Sequence, residues 1–341
     1  MIYIEDMCMT KKILLILTLL FAAALLPLCA VDIKMGSLFP EGTEWDRSLR
    51  RIAREWKEIS NGRVRLKIYP NGIAGSEEDM VRKMRFGQLD SAVLTSIGMN
   101  KIVSDSLVLS LPFLVQNEEE LDFAIEELTP MFDDDFSEKG FEVLLWSKSG
   151  WINFFSSKEI QGPDNLRKTT MSVSPGEQDM IEAFEALDFK VYPLAVNDTL
   201  MGLQSGMIDT VYTAPMGAAA YQWFALAPNM NPLKVMPVIG GIVLSERAWK
   251  KIPKKYHEEL KASIQSVKMD FQKETERLNA EAMNVMRKNG LVELELSEQD
   301  EKAWYDLFSG DYWFIVGPDK PVSREVFNEV NSRLEAFRNN Q

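Results

Sequence analysis

Histidine, cysteine and excess positive charge are what this sequence has least of. Its 341 residues include one histidine and two cysteines. The histidine, His257, lies in the charged run Lys254-Lys-Tyr-His-Glu-Glu-Leu260, which suits a solvated helix position better than a general base. Both cysteines, Cys8 and Cys29, fall in the first thirty residues, so the remainder of the chain has no thiol to form a disulfide. Serine–histidine and cysteine–histidine nucleophiles therefore lack their partners, as do histidine/cysteine metal clusters. No G-x-S-x-G, P-loop or G-x-G-x-x-G motif occurs. Carboxylates cluster at Glu77-Glu78-Asp79, Glu118–Glu120 and Asp133–Asp135, but at helix starts and in loops, where they suit the helix dipole. No enzymatic activity, metal or cofactor is expected.

A net charge of −13 offers no cationic footprint for nucleic acid and no basic patch for anionic lipid. The apolar run Ile13–Leu28 is shorter than the ~20 residues that a membrane span requires. Preceded by Lys11-Lys12 and followed by Cys29-Ala30, it has the form of an export signal covering residues 1–30, which places the protein in the periplasm. Leu26-Pro-Leu-Cys29 is an alternative lipid-attachment site, disfavoured by the bulk of Leu28.

What the chain does contain is a repeat. Lys67-Ile-Tyr-Pro70 recurs as Lys190-Val-Tyr-Pro193, and Met84-Arg-Phe-Gly87-Gln-Leu-Asp90 recurs as Leu203-Gln-Ser-Gly206-Met-Ile-Asp209. Each copy predicts strand, turn, short helix, glycine, strand. Gly87 and Gly206 stand where a helix end requires positive φ, and Asp90 and Asp209 open apolar strands. Two related α/β lobes follow, with a ligand crevice at the carboxyl ends of their strands.

The first strand ends at Gly36-Ser37, facing that crevice. Residues 48–59 form a helix with Leu49, Ile52, Ala53 and Trp56 on one face. Leu107–Leu114 is expected as a strand leading into a turn at Pro112. Strands over 141–146 and 151–155 meet at Ser149-Gly150, where the backbone crosses between lobes. Asn197 or Asp198 is expected to cap the helix that Gly206 ends. From Pro253 to Gly290 the apolar spacing predicts one helix of ~55 Å, and Ser297–Asp300 fits a capping box. The expected lobes are 31–150 plus 241–280, and 151–240 plus 281–341.

The order Gly62–Pro70, Phe86-Gly-Gln-Leu-Asp90, Leu111-Pro-Phe113, Leu194–Asp198 and Leu203–Asp209 resembles the substrate-binding subunit of TRAP transporters, the DctP-like family, over nearly the whole chain beyond the leader. The resemblance implies a two-lobed periplasmic binding protein fold, with a long helix spanning both lobes and a hinge that closes over a ligand. It also implies delivery of that ligand, commonly a small organic acid, to a membrane permease. The departures concern charge. Ser172 stands where family members carry a carboxylate-clamping arginine, and a second arginine position falls on Ile152, or on Trp151 if the alignment slips by one.

A buried anion without a cationic or multiply hydrogen-bonded partner is strongly disfavoured. The ligand is therefore expected to be uncharged or largely apolar. The residues expected around it are Ser37, Trp45, Thr95, Trp151, Ile152, Ser172, Val196, Tyr212, Thr213 and Met216, with Phe154, Met171 and Trp223 nearby. Arg167 or Lys148 turned into the pocket would restore an organic-acid ligand. A third reading is a carrier that shields a lipid-like molecule and hands it to a TPR-type partner protein.

Overall fold

The computed structural model describes residues 30–308, 310 and 312–340, so the expected export signal, with Cys8 and Cys29, lies outside the described residues apart from Ala30. The two Gly-x-x-Asp segments build one device twice. Gly87 and Gly206 close their helices at φ +77° and +71°. Asp90 then clips onto the neighbouring strand: its N–H donates to the Lys34 carbonyl (3.0 Å) and its carboxylate accepts the Lys34 N–H (3.0 Å). Asp209 makes the same pair of bonds to Thr170, at 2.8 and 3.1 Å. In the first lobe β1 (Val31–Gly36) lies between β2 (Val64–Tyr69) and β3 (Ser91–Thr95); in the second, β5 (Thr170–Val173) lies between β6 (Lys190–Pro193) and β7 (Thr210–Thr213). All four pairings are parallel.

Each of these strands feeds a helix. In the first lobe these are α1 (Glu44–Ile59), α2 (Glu77–Phe86) and α3 (Ser96–Asn100). Leu49, Ile52 and Trp56 of α1 are fully buried, as the spacing predicts. Short helices α4 (Glu118–Phe123) and α5 (Asp133–Glu138) precede β4 (Phe141–Ser156), and α6 (Pro163–Leu166) follows it. In the second lobe β5, β6 and β7 feed α7 (Gln178–Ala186), α8 (Val196–Ser205) and α9 (Pro215–Ala220). The apolar run Leu107–Leu114 is not a strand; its first half lies in a buried 3₁₀ turn, Ser104–Ser110, and the rest in the turn that follows, because β3 is already paired on both edges.

Two long antiparallel strands join the lobes. β4 is one strand rather than two, and it pairs with β9 (Met236–Ser245) from Phe141 to Ile152 and with β7 from Asn153 to Ser156. Its register slips between Lys148 and Trp151. Gly150 takes φ +100° there, and a Cβ at that position would come within 2.9 Å of the Asn279 side-chain nitrogen. The short strands β8 (Asn229–Met230) and β10 (Val292–Glu293) pair with each other, and β8 also pairs with the end of β4.

After α10 (Glu246–Lys251), the expected single helix is two: α11 (His257–Gln265) and α12 (Lys268–Lys288). At the break, Ser263 donates its hydroxyl to the Leu260 carbonyl (2.9 Å) and Ser266 donates to the Ser263 carbonyl (2.7 Å), competing with backbone donors without any glycine or proline. α11 packs on α1, and α12 runs on across β4 to α9, so the pair spans both lobes. The tail divides. Trp304 of α13 (Glu298–Phe308), a helix whose Ser297–Asp300 box forms as expected, stacks on Phe154 and donates to the Gln161 carbonyl. Arg338 and Phe337 of α14 (Arg324–Asn339) instead pair with Glu120 and Phe123, ahead of β4.

Candidate functional site

A helix that follows a parallel strand begins at that strand's carboxyl end, so each lobe turns three helix N-termini toward the crevice. Their first N–H groups have no partner within the helix and must find one elsewhere. The first lobe satisfies its own. Thr43 caps α1, and a reciprocal Ser76–Asp79 box caps α2. At α3, Thr95 Oγ1 accepts the Ile97 N–H, and Glu77 reaches across to accept the N–H groups of Thr95 (2.9 Å) and Gly98 (2.8 Å) and the Thr95 hydroxyl (3.0 Å). Burial pushes the Glu77 carboxyl up to about 7, in spite of these three donors.

The second lobe does not satisfy its own. α7, α8 and α9 start after Glu177, Ala195 and Ala214, and none of these caps its helix through a side chain. The Met216 N–H of α9 is taken by Asn279 of α12 (3.1 Å); α7 and α8 have no such help. Asn197 and Asp198, the expected caps of α8, sit inside its first turn, because the helix begins directly after Ala195.

In front of these helix starts is a cavity of about 230 Å³, bounded by Ile97 from the first lobe, Ile152 from β4 and the strand ends and helix starts of the second lobe. Five of the expected residues meet here: Ile152, Ser172, Val196, Tyr212 and Thr213, together with Trp223. Ser174, Glu177 and Thr199 also line it, and the sequence reading missed them. Tyr212 donates its hydroxyl to Glu177 Oε1 at 2.6 Å. Burial raises the Glu177 carboxyl above its ordinary range and the Tyr212 phenol well above its own. Thr95 lines a smaller hollow of about 80 Å³ on the first-lobe side, with Glu77 and Phe39.

The remaining expected residues lie elsewhere. Ser37 is fully buried and accepts the Phe39 N–H, shaping the turn after β1. Trp45 stacks on Phe39 at 5.0 Å within the first-lobe core. Met216 packs against that same core, and Phe154 and Met171 are fully enclosed. Trp151 faces backward, since alternation along β4 turns Ile152 to the cleft and Trp151 and Asn153 to the opposite side.

Behind β4 those two residues line a second cavity, of about 270 Å³, against α12. Glu118 holds its rim, accepting from Trp151 Nε1 (2.6 Å), Lys234 (3.1 Å) and Lys148 (3.2 Å). Burial works against the Glu118 anion, yet these partners, Lys234 foremost, keep its carboxyl below the usual range.

No arginine or lysine has moved into the cleft. Arg167 pairs with Asp164 and lies over the Phe189 ring, and Lys148 is held behind β4 by Asp122 and Glu118. The described residues lining the two cleft hollows include no cationic side chain. Half of the lining of the larger hollow is nevertheless polar, namely Ser172, Ser174, Glu177, Thr199, Tyr212 and Thr213, which does not suit the largely apolar guest that was expected.

Several solved proteins of this architecture hold bound acids, which overturns the expectation of a hydrophobic ligand. A solute-binding protein of Chromohalobacter salexigens is 23% identical over 274 residues, covering 78% of this chain and 77% of that protein. A TRAP periplasmic solute-binding protein crystallised from the same organism with bound D-glucuronate superposes with a TM-score of 0.78 at 18% identity, over 88% of this chain and 99% of that one. Another, from Desulfovibrio salexigens with bound orotic acid, gives a TM-score of 0.76 at 18% identity, over 89% and 99%. Among the described residues no helix is long and apolar enough to cross a membrane. Residues 35–315 match the model of the bacterial extracellular solute-binding proteins, family 7. The chain therefore belongs to that family, DctP, whose members are the periplasmic solute-binding proteins of TRAP transporters.

Proposed function

We propose that this protein captures a small organic acid between its lobes and delivers it to a TRAP membrane permease. The observation that carries this reading is the uncapped start of α8, whose residues Val196 and Thr199 line the cleft cavity. A helix N-terminus offers unpaired N–H groups and about half a positive charge, which together make a carboxylate site without any guanidinium. The hydroxyls of Ser172, Ser174 and Thr213 can complete the shell. The acids carried by the related proteins have this chemistry. The residues of the ligand site, and a hinge at Gly150 and at Gly240-Gly241 of β9, belong to the same proposal.

The helix start can be altered without breaking the helix. Val196 is its first residue, the one interior position where proline is tolerated. Ala195 already has φ −67° and ψ 147°, the conformation required before proline. Val196→Pro therefore deletes one N–H and keeps the helix, exchanging the Val196 side chain of the lining for an apolar ring of similar size. Calorimetry with D-glucuronate, L-malate and orotate should find at least one binder, and Val196→Pro should weaken it roughly tenfold, the worth of one charge-assisted hydrogen bond. Unchanged affinity would remove α8 from the site, and binding of only carboxyl-free compounds would remove the reading altogether.

A further inference from the structure

We propose that the acid bound by this protein also carries a protonated amine, held in a small chamber at the deep end of the cleft. The inference rests on the organic-acid reading of the cleft and narrows it. The chamber, of about 30 Å³, is closed by α3 and the 104–110 turn of the first lobe against the start of α7 in the second. Ile97 and Glu177 line both the chamber and the larger cavity, so the two spaces adjoin at these residues, and the proposed ligand reaches across them.

Two acceptors in the chamber are unsatisfied. Ser110 is 3% exposed and its hydroxyl has no hydrogen-bond partner; Asn100 Oδ1 is likewise buried and unpartnered. Such atoms are costly unless something reaches them. The other polar groups of the lining include the carboxylates of Glu177 and Asp179, and no described lining residue is cationic. Lys101 acts on Glu177 only through space, from outside the lining. The chamber therefore presents acceptors and negative charge, in a volume that fits one group the size of a water molecule. A water could satisfy the unpartnered atoms of Ser110 and Asn100 but would bring no charge to a lining that holds two carboxyl groups and no cation. A primary ammonium supplies three donors and a positive charge inside the lining itself.

The test uses matched pairs that differ at one position: L-aspartate against L-malate, L-glutamate against 2-hydroxyglutarate, and further 2-amino acids against their 2-hydroxy analogues. Each is measured by thermal shift and calorimetry on protein refolded to strip endogenous ligand, alongside mass spectrometry of whatever the native protein releases on denaturation. The expected result is a binder whose amine form is preferred roughly tenfold or more, as for a charged hydrogen-bonded group over a neutral one. Ser110→Ala and Glu177→Gln should each shrink that preference while leaving the circular dichroism spectrum unchanged. Hydroxy acids binding as well as their amino partners would overturn this inference and leave the organic-acid reading intact, as would release of an amine-free acid from native protein. A released compound with neither amine nor carboxyl would overturn both.

Discussion

The two lobes follow one plan with opposite endings. In each, three parallel strands run out to three helix starts, and a Gly-x-x-Asp clip locks the third strand to the first. The first lobe closes those helix starts with its own chemistry, from Thr43, Ser76 and Thr95, and at α3 with an internal carboxylate, Glu77. The second lobe leaves α7 and α8 unclosed, with Ala195 where a capping side chain would stand. A carboxylate brought by a ligand would do at α8 what Glu77 does permanently at α3. Under the proposed function, oriented backbone amides of the second lobe would stand in for the guanidinium that the described cleft lining lacks.

The contrast can be broken at several points. The largest effect expected is in the pH dependence of stability. The Glu77 carboxyl is held near 7 in the folded protein, above its ordinary 4.5, so the folded state keeps a proton that the unfolded chain has lost. Its contribution is complete below pH ~4.5 and is lost as pH rises through about 7, amounting to roughly 3 kcal/mol. Urea unfolding at pH 5 and pH 8 should show this loss, and Glu77→Gln should flatten it. Next in size are the two clips. Asp90→Ala and Asp209→Ala should each cost about 2 kcal/mol in chemical denaturation, by stranding a strand N–H that now bonds to a carboxylate. Equal losses would confirm that the repeat is structural in both lobes.

Ala195→Asp gives the second lobe the cap it lacks. Stability should rise by ~1 kcal/mol, while affinity for the acid should fall roughly tenfold as the new carboxylate occupies the ligand's position. Opposite signs from one substitution, read by thermal melting and calorimetry, are not expected of a merely structural position. The smallest effect is the mirror experiment in the first lobe. Ser76→Ala should cost ~1 kcal/mol and leave ligand affinity where it was.

Much of this architecture was legible in the sequence because it is repeated there. Gly87 with Gly206, and Asp90 with Asp209, are fixed by local backbone needs that only a few residue types meet, and both pairs do in the structure what their spacing predicts. Ile152, Ser172, Val196, Tyr212 and Thr213, which strand ends and resemblance single out, line the cleft cavity. Trp45 and Met216 pack against the first-lobe core, since an aromatic or a methionine near a strand end serves core packing equally well. The open start of α8 escaped the sequence reading for a different reason. A missing arginine is visible in a sequence, whereas an uncapped helix is visible only once the helix start is known to within one residue. The apparent cap at Asn197-Asp198 concealed it by lying two positions inside the turn.

A crystal structure of the protein with the compound it retains from its native source tests the central claim most directly. The account predicts a ligand carboxylate accepting hydrogen bonds from the Val196 and Asn197 amides at the start of α8, with no guanidinium in contact. A ligand carboxylate seated instead on Lys148 or Lys234 behind β4, or a bound compound without a carboxyl group, would contradict it.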